Sequence, residues 1–422
     1  MKNMKMAVLA CAGLVVGAGA SLAAEVSFMV FGDPAEKAAY TELASSFMTK
    51  HPDIEIKIVH IPGQGDYRKR LAADFAAGTP ADITFHNYRR YAGFAARNVL
   101  EPLGPYLEKS TVIKADDFYK EAMDPYYWNG TLMCLPQNLS SLVVYYNKNL
   151  FDAAGVAYPS DEWTWNDFVK TAQALTKDTD SDGATDQFGV GIEASIFRLA
   201  PLIWQNGGDI VDDPKNPTKL TLDTPEAREA LQWFVDLQVR HKVMPDQVNE
   251  ASEDSDSRFQ NGRLAMFLNS RRGVPAYREI TAFGWDVAPL PTGKQKAGIL
   301  HADAFCMSAG AKDKASTWTF IEYAMSEEGQ TILAKSGRTV PSMKRVANSP
   351  AFLDPNVAPS RSNVFLDGIP HIRGVPVMDT WIDIEGTVGR ELERGIYGDA
   401  TVDEVIEAAT RRTLEYFPPL AD

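Results

Sequence analysis

Hydrophobic positions along the chain follow two alternating periods. Val26 to Phe31 is a nearly unbroken apolar run, and Tyr40, Leu43, Ala44, Phe47 and Met48 then recur at the spacing of one helix face. Ile54, Ile56 and Ile58 alternate with polar residues, and Ile83-Thr84-Phe85 follows. The order predicts a βαβαβ start and hence a buried, mainly parallel sheet of an α/β protein. Further on, Thr224 and Pro225 mark the start of a helix whose Ala227, Ala230, Leu231, Phe234 and Val235 share one face. Trp318, Ile321 and Met325 predict another, and Thr401 and Glu404 stand in capping-box register before Val405 and Ile406. Neither a low-complexity linker nor an internal repeat breaks the pattern. Domain borders must therefore fall in short crossings, with the chain passing between lobes more than once.

The first residues read as an address. Lys2 and Lys5 precede an apolar and small-residue run from Met6 to Gly19, and Ser21-Leu22-Ala23 places small residues where a signal peptidase needs them. Residues 1–23 are expected to be a signal peptide, cleaved after Ala23. The run is shorter than the ~20 residues that span a bilayer. Val8-Leu9-Ala10-Cys11 faintly resembles a lipoprotein box but falls too early in the run. No later stretch is long and apolar enough to span a membrane, so an exported, soluble, periplasmic protein without a transmembrane segment is expected.

The length of 422 residues suggests two or three domains at ~150 residues each. The formal net charge of -14 becomes two units more negative once Lys2 and Lys5 are lost, which argues against nucleic acid as a partner. Three cysteines without a C-x-x-C pair, and six histidines without ligand spacing, exclude zinc fingers and disulfide-stapled miniproteins.

Five motifs then occur in one order: Tyr145-Tyr146-Asn147-Lys148-Asn149-Leu150-Phe151, Trp163-Thr164-Trp165-Asn166-Asp167-Phe168, Asn206-Gly207-Gly208-Asp209, Phe259 to Met266, and Trp285 to Pro291. Together they resemble the extracellular solute-binding proteins of carbohydrate ABC importers, the group similar to maltose-binding protein. The resemblance covers nearly the whole chain after the signal. It implies a two-lobed periplasmic-binding-protein fold (type II) with the ligand in the cleft between lobes. Lobe one would take residues 24–138 and 308–348, and lobe two residues 142–304 and 349–422. Crossings would fall near 139–142, 304–307 and 346–350. The implied function is capture of a sugar or sugar derivative and delivery to an inner-membrane ABC permease, by a monomer whose cleft closes by hinge rotation.

Sugars need planar polar groups for paired hydrogen bonds and aromatic rings for stacking. The resemblance places Asp33 at the cleft mouth as an acceptor of sugar hydroxyls, although Asp33 also suits a helix N-terminus before Glu36. Asn87 and Arg90 stand in the loop after the third strand, where the alternative is a solvated basic turn. Gln137 and Ser140 match cleft-facing positions, with Ser140 replacing an acid. Phe197, Trp204 and Trp381 match stacking regions, but aromatics at such spacing are more often core. In Asn269-Ser270-Arg271-Arg272, Arg272 stands where many relatives carry a tryptophan. Arginine can grip a carboxylate, phosphate or sulfate through parallel bonds, which puts a neutral maltodextrin in doubt. Asp33, however, could pair with Arg272 or Arg90 and leave the site neutral.

Asp178, Asp180, Asp182 and Asp186 occupy positions 1, 3, 5 and 9 of a calcium loop, with Gly183 at 6 and the Ala184 carbonyl at 7. Gly189 stands where an EF-hand needs glutamate, so no EF-hand pair is implied. Some relatives hold a structural calcium in a matching loop, where Gln187 is at a contact position; the alternative is an acidic surface turn. No cofactor for chemistry is implied. Cys134 and Cys306 would lie on neighbouring strands, as a disulfide or as two buried thiols. Three other readings stand beside the importer: a secreted carbohydrate-active enzyme, which needs two facing carboxylates, a binding protein for a non-sugar solute, and a chemoreceptor-coupled module. No catalytic residue is assigned.

Overall fold

A computed structural model describes residues 23–418. The expected signal peptide lies outside these residues apart from Ala23. Two sheets organise the molecule. In the first, Ala24–Phe31 pairs in parallel with Ile54–Ile61 on one side and Ile83–Asn87 on the other. Val26, Phe28 and Val30 are buried, and Ile54 and Ile56 are buried beside them. The apolar run therefore predicts its strand because both faces are covered.

The far edge of this sheet is antiparallel. Asp303–Ser308 enters beside Ile83–Asn87 and also pairs with Leu100–Glu101 and Cys134–Pro136. Cys134 and Cys306 are direct cross-strand partners and form a disulfide, with Cα atoms 4.5 Å apart. The sequence had left this bond open.

The second sheet runs in the order Trp285–Ala288, Val143–Asn147, Leu264–Asn269, Phe188–Gly191. Only its last pair is parallel. The expectation of mainly parallel strands thus fits the first sheet's opening and not the second. The packed helices begin where their caps predict: Thr224 accepts from Ala227 N ahead of Pro225–Val239, and Thr401 and Glu404 form a reciprocal capping box ahead of Val402–Thr413.

Between the sheets, chain segments cross side by side. Ser140 and His301 exchange backbone hydrogen bonds, and Gly298–Ile299 pairs in parallel with Ile372–Arg373. The second crossing thus precedes Asp303, rather than falling near 304–307, because residues 303–308 are a strand inside the first sheet. The third passage lies after Ala347, and by Ser360 the chain touches Asp286 of the second sheet. Among the described residues no helix is long and apolar enough to cross a membrane.

Candidate functional site

The carboxyl ends of strands from both sheets face a cavity of about 1100 Å³ between the lobes. Open α/β sheets place ligands at such ends, where loop backbone and side chains are free of the ladder. The first strand delivers Gly32 and Asp33. Gly32 has φ 138°, and a Cβ there would lie 1.7 Å from Glu36 Oε2, so only glycine lets the strand turn directly into the helix Pro34–Lys50.

Of the residues expected at the site, Asp33, Asn87, Arg90, Ser140, Phe197, Asn269 and Arg272 line this cavity. Gln137, Trp204 and Trp381 do not. Gln137 is buried and accepts from the Asn138 amide, which takes the cavity position instead. Trp204 is buried, donates to Asp209 Oδ1 at 3.0 Å and has the Arg373 guanidinium 4.7 Å from its ring. Trp381 is buried and donates to Glu385 Oε1 at 2.8 Å. Both tryptophans are supports of the wall, and neither offers a ring to the cleft.

Phe197 faces the cavity with its ring already engaged. The Arg89 guanidinium sits 3.8 Å from its centroid and the His301 ring 4.6 Å away. Asn269 is similarly committed: its amide donates to Tyr277 OH at 2.9 Å and its oxygen accepts from Ser270 N. Such groups shape the cleft more than they recognise a sugar directly.

Asp33 does two jobs. One oxygen caps the following helix by accepting from Glu36 N at 2.8 Å, and the other accepts from Arg338 Nη1 at 2.7 Å. Asp33 therefore does not neutralise Arg90 or Arg272. The same Arg338 reaches Glu36 at 2.6 Å and donates to the Arg272 carbonyl at 3.2 Å, linking the two sides of the cleft. Burial pushes the Glu36 carboxyl up to about 7, against the opposing pull of Arg338. A second link joins Arg89 to both carboxylate oxygens of Glu385, at 2.8 and 2.7 Å.

Sequence reasoning did not identify Arg68, Arg198, Arg338, His301 or Asp303, which also surround the cavity. No local motif marks them. Burial lowers the Arg90 pKa to about 10, helped by Arg68 and Arg89. Arg68 is lowered chiefly by burial and then by Arg89. Burial lowers His301 well below its ordinary value, with Arg198, Arg89 and Arg272 adding to it, so the ring is neutral at pH 7. Burial raises Asp303, although the Asn87 amide donates to it at 3.1 Å.

Away from the cleft, carboxylate oxygens of Asp178, Asp180 and Asp186 come within 4.8 Å of one another. That convergence suits a cation that prefers oxygen ligands. Asp182 turns aside to accept from Ala184 N, and Gln187 Nε2 donates to the Leu175 carbonyl. Asp182 does not join the converging set.

Comparison with known proteins agrees with this geometry. Residues 32–331 match the family model described as bacterial extracellular solute-binding protein. A binding protein of Brucella abortus (strain 2308) is 24% identical over 419 residues, covering 98% of each chain. An ABC substrate-binding protein of Listeria monocytogenes in complex with cycloalternan superposes with a TM-score of 0.86 at 24% identity, covering 94% of this chain and 100% of that one. Maltose-bound MalE3 of T. maritima superposes with a TM-score of 0.77 at 23% identity, covering 93% and 100%. These likenesses fix the two-lobed fold.

Proposed function

Because the chain belongs to the bacterial extracellular solute-binding protein family, we propose that it captures a sugar or sugar derivative in the interlobe cleft and hands it to the permease of an ABC importer. The family is one of exported binding proteins, and the proposed place of work is the periplasm. The observation that carries the reading is the cleft itself. Its walls come from the carboxyl ends of two separate sheets, and the chain crosses between those sheets in short paired segments that can act as a hinge.

Support for a sugar comes from relatives of the same fold: one solved structure holds cycloalternan and another holds maltose. The cleft is lined by Asn87, Asn138 and Ser140, whose amides and hydroxyl would exchange their present internal bonds for sugar hydroxyls, together with planar guanidinium groups. Guanidinium planes can lie against the C–H face of a sugar as well as donate paired hydrogen bonds. Binding without turnover is expected. Titrating the mature protein with mono- and oligosaccharides while following tryptophan fluorescence tests this, since closure would alter the surroundings of Trp204 and Trp381 in the walls. A ligand recovered hydrolysed or otherwise altered would instead favour a carbohydrate-active enzyme.

A structural calcium ion is proposed for Asp178, Asp180 and Asp186, supported by their converging oxygens. It would tie the loop together and take no part in ligand capture.

A further inference from the structure

The cleft inverts the charge of the molecule. The chain as a whole carries 42 basic and 56 acidic residues, yet around the cavity basic side chains outnumber acidic ones nine to seven. Pairing removes most of the acids from consideration. Arg338 holds Asp33 and Glu36, Arg89 holds Glu385, and Arg198 Nη2 reaches the exposed Glu193 at 3.1 Å.

What is left is positive. Among the described residues, Arg68, Arg90 and Arg272 have no carboxylate within ion-pair distance. Arg90 Nε is buried without a hydrogen-bond partner, and so are Nε and Nη1 of Arg198, a side chain only 5% exposed. His301 Nε2 is also buried and unpartnered. Buried donors of this kind are costly when left unmade, and like charges crowded in a partly dehydrated space add to that cost. Burial lowers the pKa of Arg68, Arg90 and His301 and neighbouring arginines add to it, while Asp303 and Glu385 pull the two arginines the other way only in part. A protein that keeps such a cluster gains from an anion that fills it.

The placement is two-sided. Arg68 and Arg90 belong to the first lobe, close to the strand Ile83–Asn87, while Arg198 lies on the helix Ile196–Gln205 and Arg272 follows the strand Leu264–Asn269. Resting on the sugar-binding reading, we propose that the ligand is an acidic sugar whose carboxylate, sulfate or phosphate group is gripped by Arg68 and Arg90 from one lobe and by Arg198 and Arg272 from the other. The anion then removes the repulsion between the walls, which couples recognition to closure.

Matched pairs test this on the full mature protein by calorimetric titration: galactose against galacturonate, glucose against glucuronate, and glucose against glucose 6-phosphate. The acidic member should bind at least about tenfold more tightly, and its advantage should shrink between about 0.02 and 0.3 M salt. Arg90→Gln and Arg272→Gln should each weaken the acidic member about ten- to a hundredfold. Neither should lower the melting temperature of the unliganded protein, which separates a binding role from a structural one. Galacturonate against glucose 6-phosphate tells a carboxylate from a phosphate. A neutral sugar that binds as tightly as its acidic partner and survives both substitutions would overturn the inference and leave sugar capture standing. Inorganic phosphate or citrate binding as tightly as any sugar acid would sustain the anion site and overturn sugar capture. Binding by no member of any pair would overturn the inference, and the oligosaccharide titration above would then decide sugar capture separately.

Discussion

Two regions of this protein crowd like charges together, and they resolve the crowding differently. The loop 178–186 gathers aspartates in open solvent, where backbone groups answer them: Asp178 accepts from Ser181 and Gly183 N–H, and Asp186 from the Thr179 N–H and hydroxyl. Those bonds hold the Asp186 carboxyl below its ordinary range. The cleft gathers arginines in a partly closed space, where among the described residues Arg68, Arg90 and Arg272 have no carboxylate within ion-pair distance. Water and salt screen the first cluster, and burial denies that relief to much of the second. A shared sign of charge therefore means different things in the two places. In the loop it shapes a turn that can take a cation, whereas in the cleft it leaves unmade bonds for a ligand.

Within the cleft, the paired and unpaired arginines sharpen the contrast. Arg338→Ala should have the largest effect, because it leaves Asp33 and the buried Glu36 without their cation. Loss of a partner from a buried pair costs about 3–5 kcal/mol, and the partial exposure of Asp33 puts this case at the lower end. Chemical denaturation should show the loss, and adding Glu36→Gln to that variant should recover part of it. An unchanged midpoint would mean that Arg338 is no more structural than Arg90.

The loop comes next in magnitude. If calcium sits on Asp178, Asp180 and Asp186, chelation should lower the melting temperature, since an ion present at a hundred times its Kd stabilises the fold by about 2.7 kcal/mol. Asp180→Ala should abolish the response. A melting curve indifferent to chelator would make the loop a solvated turn, its charges answered by backbone and water alone.

A smaller effect is expected from pH. Glu36 titrates near 7 in the folded protein and near 4.5 when unfolded, so between those values the folded state holds a proton that the unfolded state has lost. Stability from this group is thus full below about 4.5 and falls as pH rises towards 7, by at most about 1.4 kcal/mol per unit. The difference in stability between wild type and Glu36→Gln, followed across that window, should carry this slope. A constant difference would show that Arg338 keeps Glu36 ionised throughout.

The smallest change belongs to the unpaired set. Arg90→Gln should leave the unliganded protein's stability unchanged or raise it by less than about 1 kcal/mol, because a half-buried charge without an ion-pair partner is removed. A clear fall would show that Arg90 holds the first lobe together and that its buried Nε has a partner in solution.

Much of the scaffold was legible in the chain. The apolar run from Val26, the alternation through Ile58 and the capping signals at Thr224 and Thr401 are each written within a few residues, and the structure places strands and helices at each. Arg90 and Arg272 were legible as candidates because their neighbours match loops after strands. Trp204 and Trp381 were not separable from stacking platforms, since an aromatic at helical spacing looks the same whether its face meets solvent or a guanidinium. The antiparallel entry of Asp303–Ser308 also escaped notice, because its partners Ile83–Asn87 lie more than two hundred residues earlier.

By itself the sequence determined the periodicities, the caps, the order of motifs and the excess of acid over base, all of which depend on neighbours along the chain. The tertiary structure alone decided which charges are spent. Asp33 meets Arg338 across 305 residues and Arg89 meets Glu385 across 296, and these meetings leave Arg68, Arg90 and Arg272 without a carboxylate at ion-pair distance among the described residues. Local propensity acts over one helical turn or one strand pair, but a Coulomb contact depends on distance through space, and that distance exists only once both lobes are folded.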